Sequence, residues 1–150
     1  MVMVTSAQKQ LVHNSFVKIA PIADDAAALF YRRLFQLDPR LKLMFRGDMS
    51  EQRKKLMQMI TAAVKGLDHL EQLVPVLQDL GRRHAGYGVA DAHYDIVGQA
   101  LLWTLDKALG RDFTPELRHA WTTVYTLLAT TMQDAAREVP VPVPVYARVS

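Results

Sequence analysis

His84 follows Leu80 by four residues, Leu77 by seven and Leu73 by eleven. At helical spacing this puts an imidazole on an apolar stripe. A histidine there needs a partner for at least one ring nitrogen. A backbone carbonyl serves in an ordinary core, and a metal or haem iron serves beside a cavity. Two further polar side chains follow the same pattern. Gln52 precedes Leu56 by four and Ile60 by eight, and Tyr31 is followed at three and four by Leu34 and Phe35. Three helices therefore each direct one polar group inward. A packed core gains nothing from such groups unless they are satisfied, whereas a cavity holding a polar or redox-active ligand would use all three. Taken singly, each has a plainer reading; tyrosine in a helix stripe commonly packs in the core with its hydroxyl at the rim.

The elements that must position these residues are helices. Thr5 or Ser6 can cap a helix running to about Ala20, and Pro21 suits the first turn of a second one to about Leu37. Asp38-Pro39 starts a short third helix ending near Phe45, and Gly47-Asp48 makes a turn. Ser50 opens a helix with Leu56, Met59, Ile60, Ala63, Val64 and Leu67 at spacings of three and four. The helix carrying His84 contains Pro75, which predicts a kink or a fresh start, and ends at Gly86 and Gly88. Asp91 caps a long helix closed by Gly110, and Thr114-Pro115-Glu116 starts the last one. The expected fold is all-α, one layer-packed domain over residues 1–138. Residues 139–150 alternate proline and valine, which predicts a flexible polyproline-like tail rather than a strand.

Composition narrows the chemistry. The 150 residues include no cysteine, which removes disulfides, thiolate metal sites, iron–sulfur clusters and thiol catalysis. A formal net charge of +3 lacks the concentrated basic face of a nucleic-acid binder; the densest cluster, Arg53-Lys54-Lys55, reads as the solvated side of a helix. No apolar stretch approaches the ~20 residues of a membrane span, and the first residues do not read as a signal sequence. The expectation is a soluble cytoplasmic protein without nucleic-acid or membrane partners.

The segment Leu80-Gly81-Arg82-Arg83-His84-Ala85-Gly86-Tyr87-Gly88-Val89, followed by His93-Tyr94-Asp95-Ile96-Val97-Gly98-Gln99-Ala100-Leu101-Leu102, resembles the proximal haem segment of the globins. The likeness is strongest to bacterial single-domain haemoglobins, the haem domain of flavohaemoglobins, and neuroglobin. Phe113-Thr114-Pro115 and Ala120-Trp121-Thr122-Thr123-Val124-Tyr125 are similar to the start of the last globin helix; Leu29-Phe30-Tyr31, Leu43-Met44-Phe45 and Gln52 to Leu56 match the distal half. The resemblance implies a globin fold of about seven to eight helices around a pocket for haem b. It implies His84 as the proximal iron ligand, with Nδ1–H donated to a backbone carbonyl or neighbour. Phe45 would pack on the haem face, Tyr31 and Gln52 would be the distal pair, and Leu56, Val89 and Val97 would contact the cofactor or wall the ligand pocket.

Tyr94 matches a tyrosine that in flavohaemoglobins bonds near the proximal histidine, where a glutamate completes the network. The matching position of that glutamate here is Ala136, and Glu138 points to another face. The distal histidine of neuroglobin is replaced by Gln52, so a bis-histidine iron is not expected. His13, His69, His93 and His119 read as surface or structural, and Arg53, Lys55 and Arg83 are candidates to pair with haem propionates.

The resemblance implies dioxygen as ligand, along with nitric oxide and other diatomics. Two distal donors at ~1–3 kcal/mol per hydrogen bond would slow oxygen release about a hundredfold or more. Such binding suits nitric oxide dioxygenation to nitrate, and the absence of a Gly-x-Gly-x-x-Gly motif means a separate flavin reductase. A sensor or storage module without turnover, and a haem-free helical interaction domain, remain open alternatives, as does the oligomeric state.

Overall fold

A computed structural model describes residues 3–45 and 47–138. The first helix is held at its start by reciprocal bonds: the Gln8 amide nitrogen of the backbone donates to Thr5 Oγ1 at 3.1 Å, and the Thr5 N–H donates to Gln8 Oε1 at 2.9 Å. From there the chain forms α1 (Ser6–Ile19), a 3₁₀ turn over Ala20–Ile22, α2 (Ala23–Leu37), a longer 3₁₀ segment over Pro39–Met44, α3 (Met49–Gly66), α4 (Leu70–Gly86), α5 (Asp91–Leu109), a 3₁₀ turn over Gly110–Asp112, and α6 (Pro115–Ala136). No strand occurs among the described residues. The all-α expectation holds, with six α-helices and three 3₁₀ pieces. The short third helix expected after Asp38 is the 3₁₀ segment.

Several boundaries differ from the sequence reading for local reasons. Asp48, not Ser50, caps α3, its carboxylate accepting the Ser50 N–H at 2.9 Å. Asp91 is the first residue of α5 rather than its cap; Ala90 holds that place, and the ring of His93 takes over the capping bond. Pro75 neither ends nor restarts α4, which runs through it. Only the bond that its missing N–H would make to Glu71 is forgone, near the solvent-facing start of the helix. The Pro/Val tail lies outside the described residues.

Three apolar clusters form the interior. Val12, Ile19, Val64, Leu105, Trp121 and Val124 join α1, α3, α5 and α6. Phe30, Tyr31, Leu34, Leu41 and Ala100 join α2, the 3₁₀ segment and α5. Leu73, Leu77, Tyr94, Ala129 and Met132 join α4, α5 and α6. Trp121 ties α6 to α1 by donating its indole N–H to buried Ser15 Oγ at 2.9 Å, and Ser15 passes the chain on to the Val12 carbonyl at 2.9 Å. Leu101 packs against the first and second clusters and Leu128 against the first and third. A cavity lined by residues of all three is the site described next.

α4 approaches α6 most closely at Gly81, where a methyl group would run into the Met132 backbone. This places the turn bearing His84 directly over α6. Gly81→Ala should therefore lower stability by about 1–3 kcal/mol through overpacking. Chemical denaturation of the ligand-free chain checks this; an unchanged midpoint would show that the helices can part without penalty.

Candidate haem pocket

His84 lies on the last turns of α4, in register with Leu73, Leu77 and Leu80 as its spacing requires. Its Nδ1 is 2.8 Å from the Leu80 carbonyl oxygen. A carbonyl can only accept, so Nδ1 carries the proton and Nε2 keeps its lone pair. Burial holds the imidazole below its ordinary pKa; the carbonyl bond opposes this and the charge of Arg83 adds to it. The ring is thus neutral at physiological pH, with one tautomer selected. Its free nitrogen is the only strong ligand-type lone pair it has left.

The ring lines an apolar cavity that is partly open to solvent, in keeping with the mostly apolar lining of cofactor pockets. Leu56, Met59, Ile60, Ala63 and Val64 of α3 form one wall, with Phe30 of α2 beside them. Leu77 and His84 of α4 face them, and His93, Tyr94 and Val97 of α5 with Val124, Leu128 and Met132 of α6 close the rest. Val89, on the loop between α4 and α5, completes the rim; its N–H donates to the His84 carbonyl at 3.0 Å.

Few polar atoms reach this apolar cavity, and most are spoken for. Trp121 Nε1 donates to Ser15 and Tyr125 Oη donates to the Tyr94 carbonyl at 2.6 Å. The Tyr94 hydroxyl is buried and has no hydrogen-bond partner in the chain. Burial raises the pKa of Tyr94, with a further push from Asp91, so the phenol stays protonated. An orphaned buried hydroxyl is costly unless something else satisfies it. With the inward His84 nitrogen, it is what a cavity built around a large, mostly apolar group with a metal centre would contain. Among the described residues no cluster of three or more protein metal ligands exists, so a metal here would arrive inside a cofactor that supplies its own equatorial ligands.

The distal candidates are placed differently. Tyr31 is buried, and its hydroxyl donates to the Gln52 backbone carbonyl at 3.3 Å. Phe30, Phe35 and Phe45 surround its ring with centroids 5.1, 6.0 and 5.3 Å away. Burial pushes the Tyr31 phenol up to about 12. Tyr31, Gln52 and Phe45 thus form one group, joined across α2, α3 and the 3₁₀ segment. They are not part of the cavity wall, although Phe30 and Leu56 of the same cluster are. His84, Leu56, Val89, Tyr94 and Val97 all line it.

The basic candidates for propionate pairing are partly engaged elsewhere: Arg53 bonds Asp24 at 2.9 Å and Arg83 bonds Asp79 at 3.3 Å. Glu138 pairs with Arg82 at 3.4 Å, away from Tyr94, as its register predicted. Several wall residues were not singled out as site residues in the sequence. His93, read there as surface or structural, forms part of the cavity, and so does Tyr125. The missed signal was His93's place as the third residue of α5, where a side chain can reach back to its own cap while its far edge turns along the helix.

Five of the six helices line an apolar cavity, and His84 is presented to it from the last turn of α4 with one tautomer selected; this is an arrangement of the haem-pocket class. The comparisons place it further. The chain matches the Globin family over residues 28–132 and belongs to that family. It is 31% identical over 142 residues to the neuroglobin of Tetraodon nigroviridis, covering 85% of this chain and 89% of that protein. It is 33% identical over 138 residues to the neuroglobin of Danio rerio, covering 83% and 87%. A flavohemoprotein of Bacillus subtilis (strain 168) is 34% identical over 105 residues, 67% of this chain and 26% of that longer protein. A bacterial globin from Campylobacter jejuni superposes with a TM-score of 0.78 at 27% identity, covering 89% and 97% of the two chains. Membership implies haem as cofactor and small gaseous molecules as ligands. No helix among the described residues is long and apolar enough to cross a membrane.

Proposed function

We propose that the chain binds haem b through His84 and takes up dioxygen with high affinity, and that it converts nitric oxide and dioxygen to nitrate. The observation that carries this reading is the neutral His84 ring, its tautomer set by the Leu80 carbonyl, lining an apolar cavity. Haem iron, when bound, supplies reversible binding of diatomic ligands and one-electron chemistry. His84 Nε2 holds the metal, and the Leu80 bond keeps the ring from rotating. The α3 wall of Leu56, Met59 and Ile60 excludes water, and Val97 and Val89 hold the cofactor from α5 and its entry loop. The Tyr94 hydroxyl becomes satisfied against the occupant.

Tyr31 and Gln52 are the proposed ligand-stabilising pair. The Tyr31 bond to the Gln52 carbonyl, at 3.3 Å, is long for an O–H···O contact and correspondingly weak. Re-aiming that hydroxyl at a polarised ligand therefore sacrifices little. Phe45 fixes the Tyr31 ring edge-on while this happens. Nitrate formation from nitric oxide and dioxygen consumes one electron per turnover, so the cycle needs a flavin reductase as electron source. The setting is the cytoplasm, where nicotinamide-dependent reductases operate.

Spectra of the reduced protein before and after dioxygen, then nitric oxide, test the reading. The expected result is a Soret band, a persistent oxy spectrum, and prompt nitrate on addition of nitric oxide. A stable oxy form that reacts sluggishly with nitric oxide would replace turnover with storage or sensing. No Soret band after reconstitution would remove the haem function.

A further inference from the structure

Most polar atoms of the cavity wall are engaged within the chain; besides the Tyr94 hydroxyl, one ring nitrogen is left over. His84 Nδ1 serves Leu80, Tyr125 Oη serves Tyr94, and Trp121 Nε1 serves Ser15. His93 differs from these. Its Nδ1 lies 2.9 Å from the Ala90 N–H and accepts from it. A nitrogen that accepts carries no proton, so in neutral His93 the hydrogen sits on Nε2. This is the reverse of His84, whose Nε2 keeps the lone pair. One cavity wall therefore presents two histidines of opposite tautomer, one offering an electron pair and the other an N–H.

The carboxylate that could compete for that N–H is Asp38, which lies within electrostatic range of His93. Asp38 is engaged by Arg40 instead: its Oδ1 accepts from the Arg40 N–H and Nε at 3.1 and 3.0 Å, and its Oδ2 from Arg40 Nη2 at 3.2 Å. The cavity opens to solvent on one side, and a haem that enters such a mouth keeps its two carboxylate-bearing edges toward water, because an unpaired buried carboxylate is prohibitive.

We infer that His93 is a haem-binding residue, its Nε2–H donating to a propionate carboxylate while its Nδ1 caps α5. This rests on the haem reading above. The fixed tautomer makes it a one-way donor. It suits a carboxylate and, in the neutral state, is unfit to replace His84 on the metal.

The test is haem release to an apo-globin acceptor, measured for the wild-type chain, His93→Leu and His93→Glu. Each is loaded in turn with protohaem and with its dimethyl ester, which lacks the carboxylates. Leucine removes cap and donor without adding charge. Glutamate keeps an acceptor for the Ala90 N–H, as Gln8 does for Thr5 at 2.9 Å, and offers no donor. The expected result is release of protohaem roughly tenfold faster from both variants, in line with loss of a charge-assisted hydrogen bond, with all three chains releasing the ester at one rate. Equal acceleration for both haems would show that His93 acts only through the fold and would overturn the proposal, as would no acceleration with protohaem. A wild-type chain that develops no Soret band with either haem would sink the haem reading and this inference with it.

Discussion

The His84→Gly chain is expected to fold yet fail to retain haem, and free imidazole is expected to restore the Soret band. Glycine in a helix interior costs about 1 kcal/mol, a small part of the stability of a domain this size. The apolar walls built by α3, α5 and α6 do not depend on the imidazole. What disappears is the Nε2 lone pair, and with it the bond that anchors the metal. The vacated space admits an imidazole molecule, which lacks the tether but brings the same donor atom. His93, the other histidine of the wall, cannot substitute while its Nδ1 accepts from Ala90 and its Nε2 holds the proton. Haem titration followed by absorption, with circular dichroism to verify the fold, decides the matter. A variant that binds haem as tightly as wild type, with an unchanged spectrum, would show that the iron is held elsewhere.

Tyr31→Phe is expected to speed oxygen dissociation by about ten- to a hundredfold, since a hydrogen bond of this kind is worth ~1–3 kcal/mol. The apolar nest of Phe30, Phe35 and Phe45 accommodates phenylalanine without rearrangement, so the effect isolates the hydroxyl. Stopped-flow replacement of oxygen by carbon monoxide measures it, and an unchanged rate would assign the main donor to another group. The same hydroxyl makes a pH prediction. Its pKa is pushed from about 10 in the unfolded chain to about 12 in the folded one. The unfolded chain thus loses its proton first. The associated stability is fully present below pH ~10 and declines as pH rises toward 12. The wild-type chain should be more sensitive to alkali across that window than Tyr31→Phe, as judged by denaturation midpoints.

Why some of this was legible in the chain and some was not follows from the range of the interactions involved. The stripe of Leu73, Leu77, Leu80 and His84 is set by the 3.6-residue period, and the imidazole lies where that period puts it. The caps at Thr5 and Thr114 are contacts over three residues, and both occur as read. Pro75 was harder, because proline early in a helix removes one bond but does not dictate whether the neighbours compensate. The departure at Ala136 and Glu138 was likewise a matter of register, and the Arg82 pairing agrees with it.

The inward convergence of Tyr31, Gln52 and His84 was an expectation of another kind. Helical period says which side of a helix a residue occupies, but not what stands between two helices. Packing set Phe30 and Leu56 at the cavity wall and left Tyr31 out of it, bonded to the backbone of Gln52 rather than to its amide. His93 entered the wall because the α5 cap falls at Ala90, one residue earlier than composition suggests.

The amino-acid sequence by itself therefore determined the helices, the face that each buries, and the place of His84 on an apolar stripe. Those properties depend on neighbours within a turn or two. Only the tertiary structure decided that residues of three apolar clusters line one cavity. It also decided that the Tyr94 hydroxyl is left without a partner and that the Tyr31 hydroxyl meets the Gln52 carbonyl. Each of these depends on groups brought together across helices, or on which backbone atom a ring happens to meet, and neither is encoded in a periodicity.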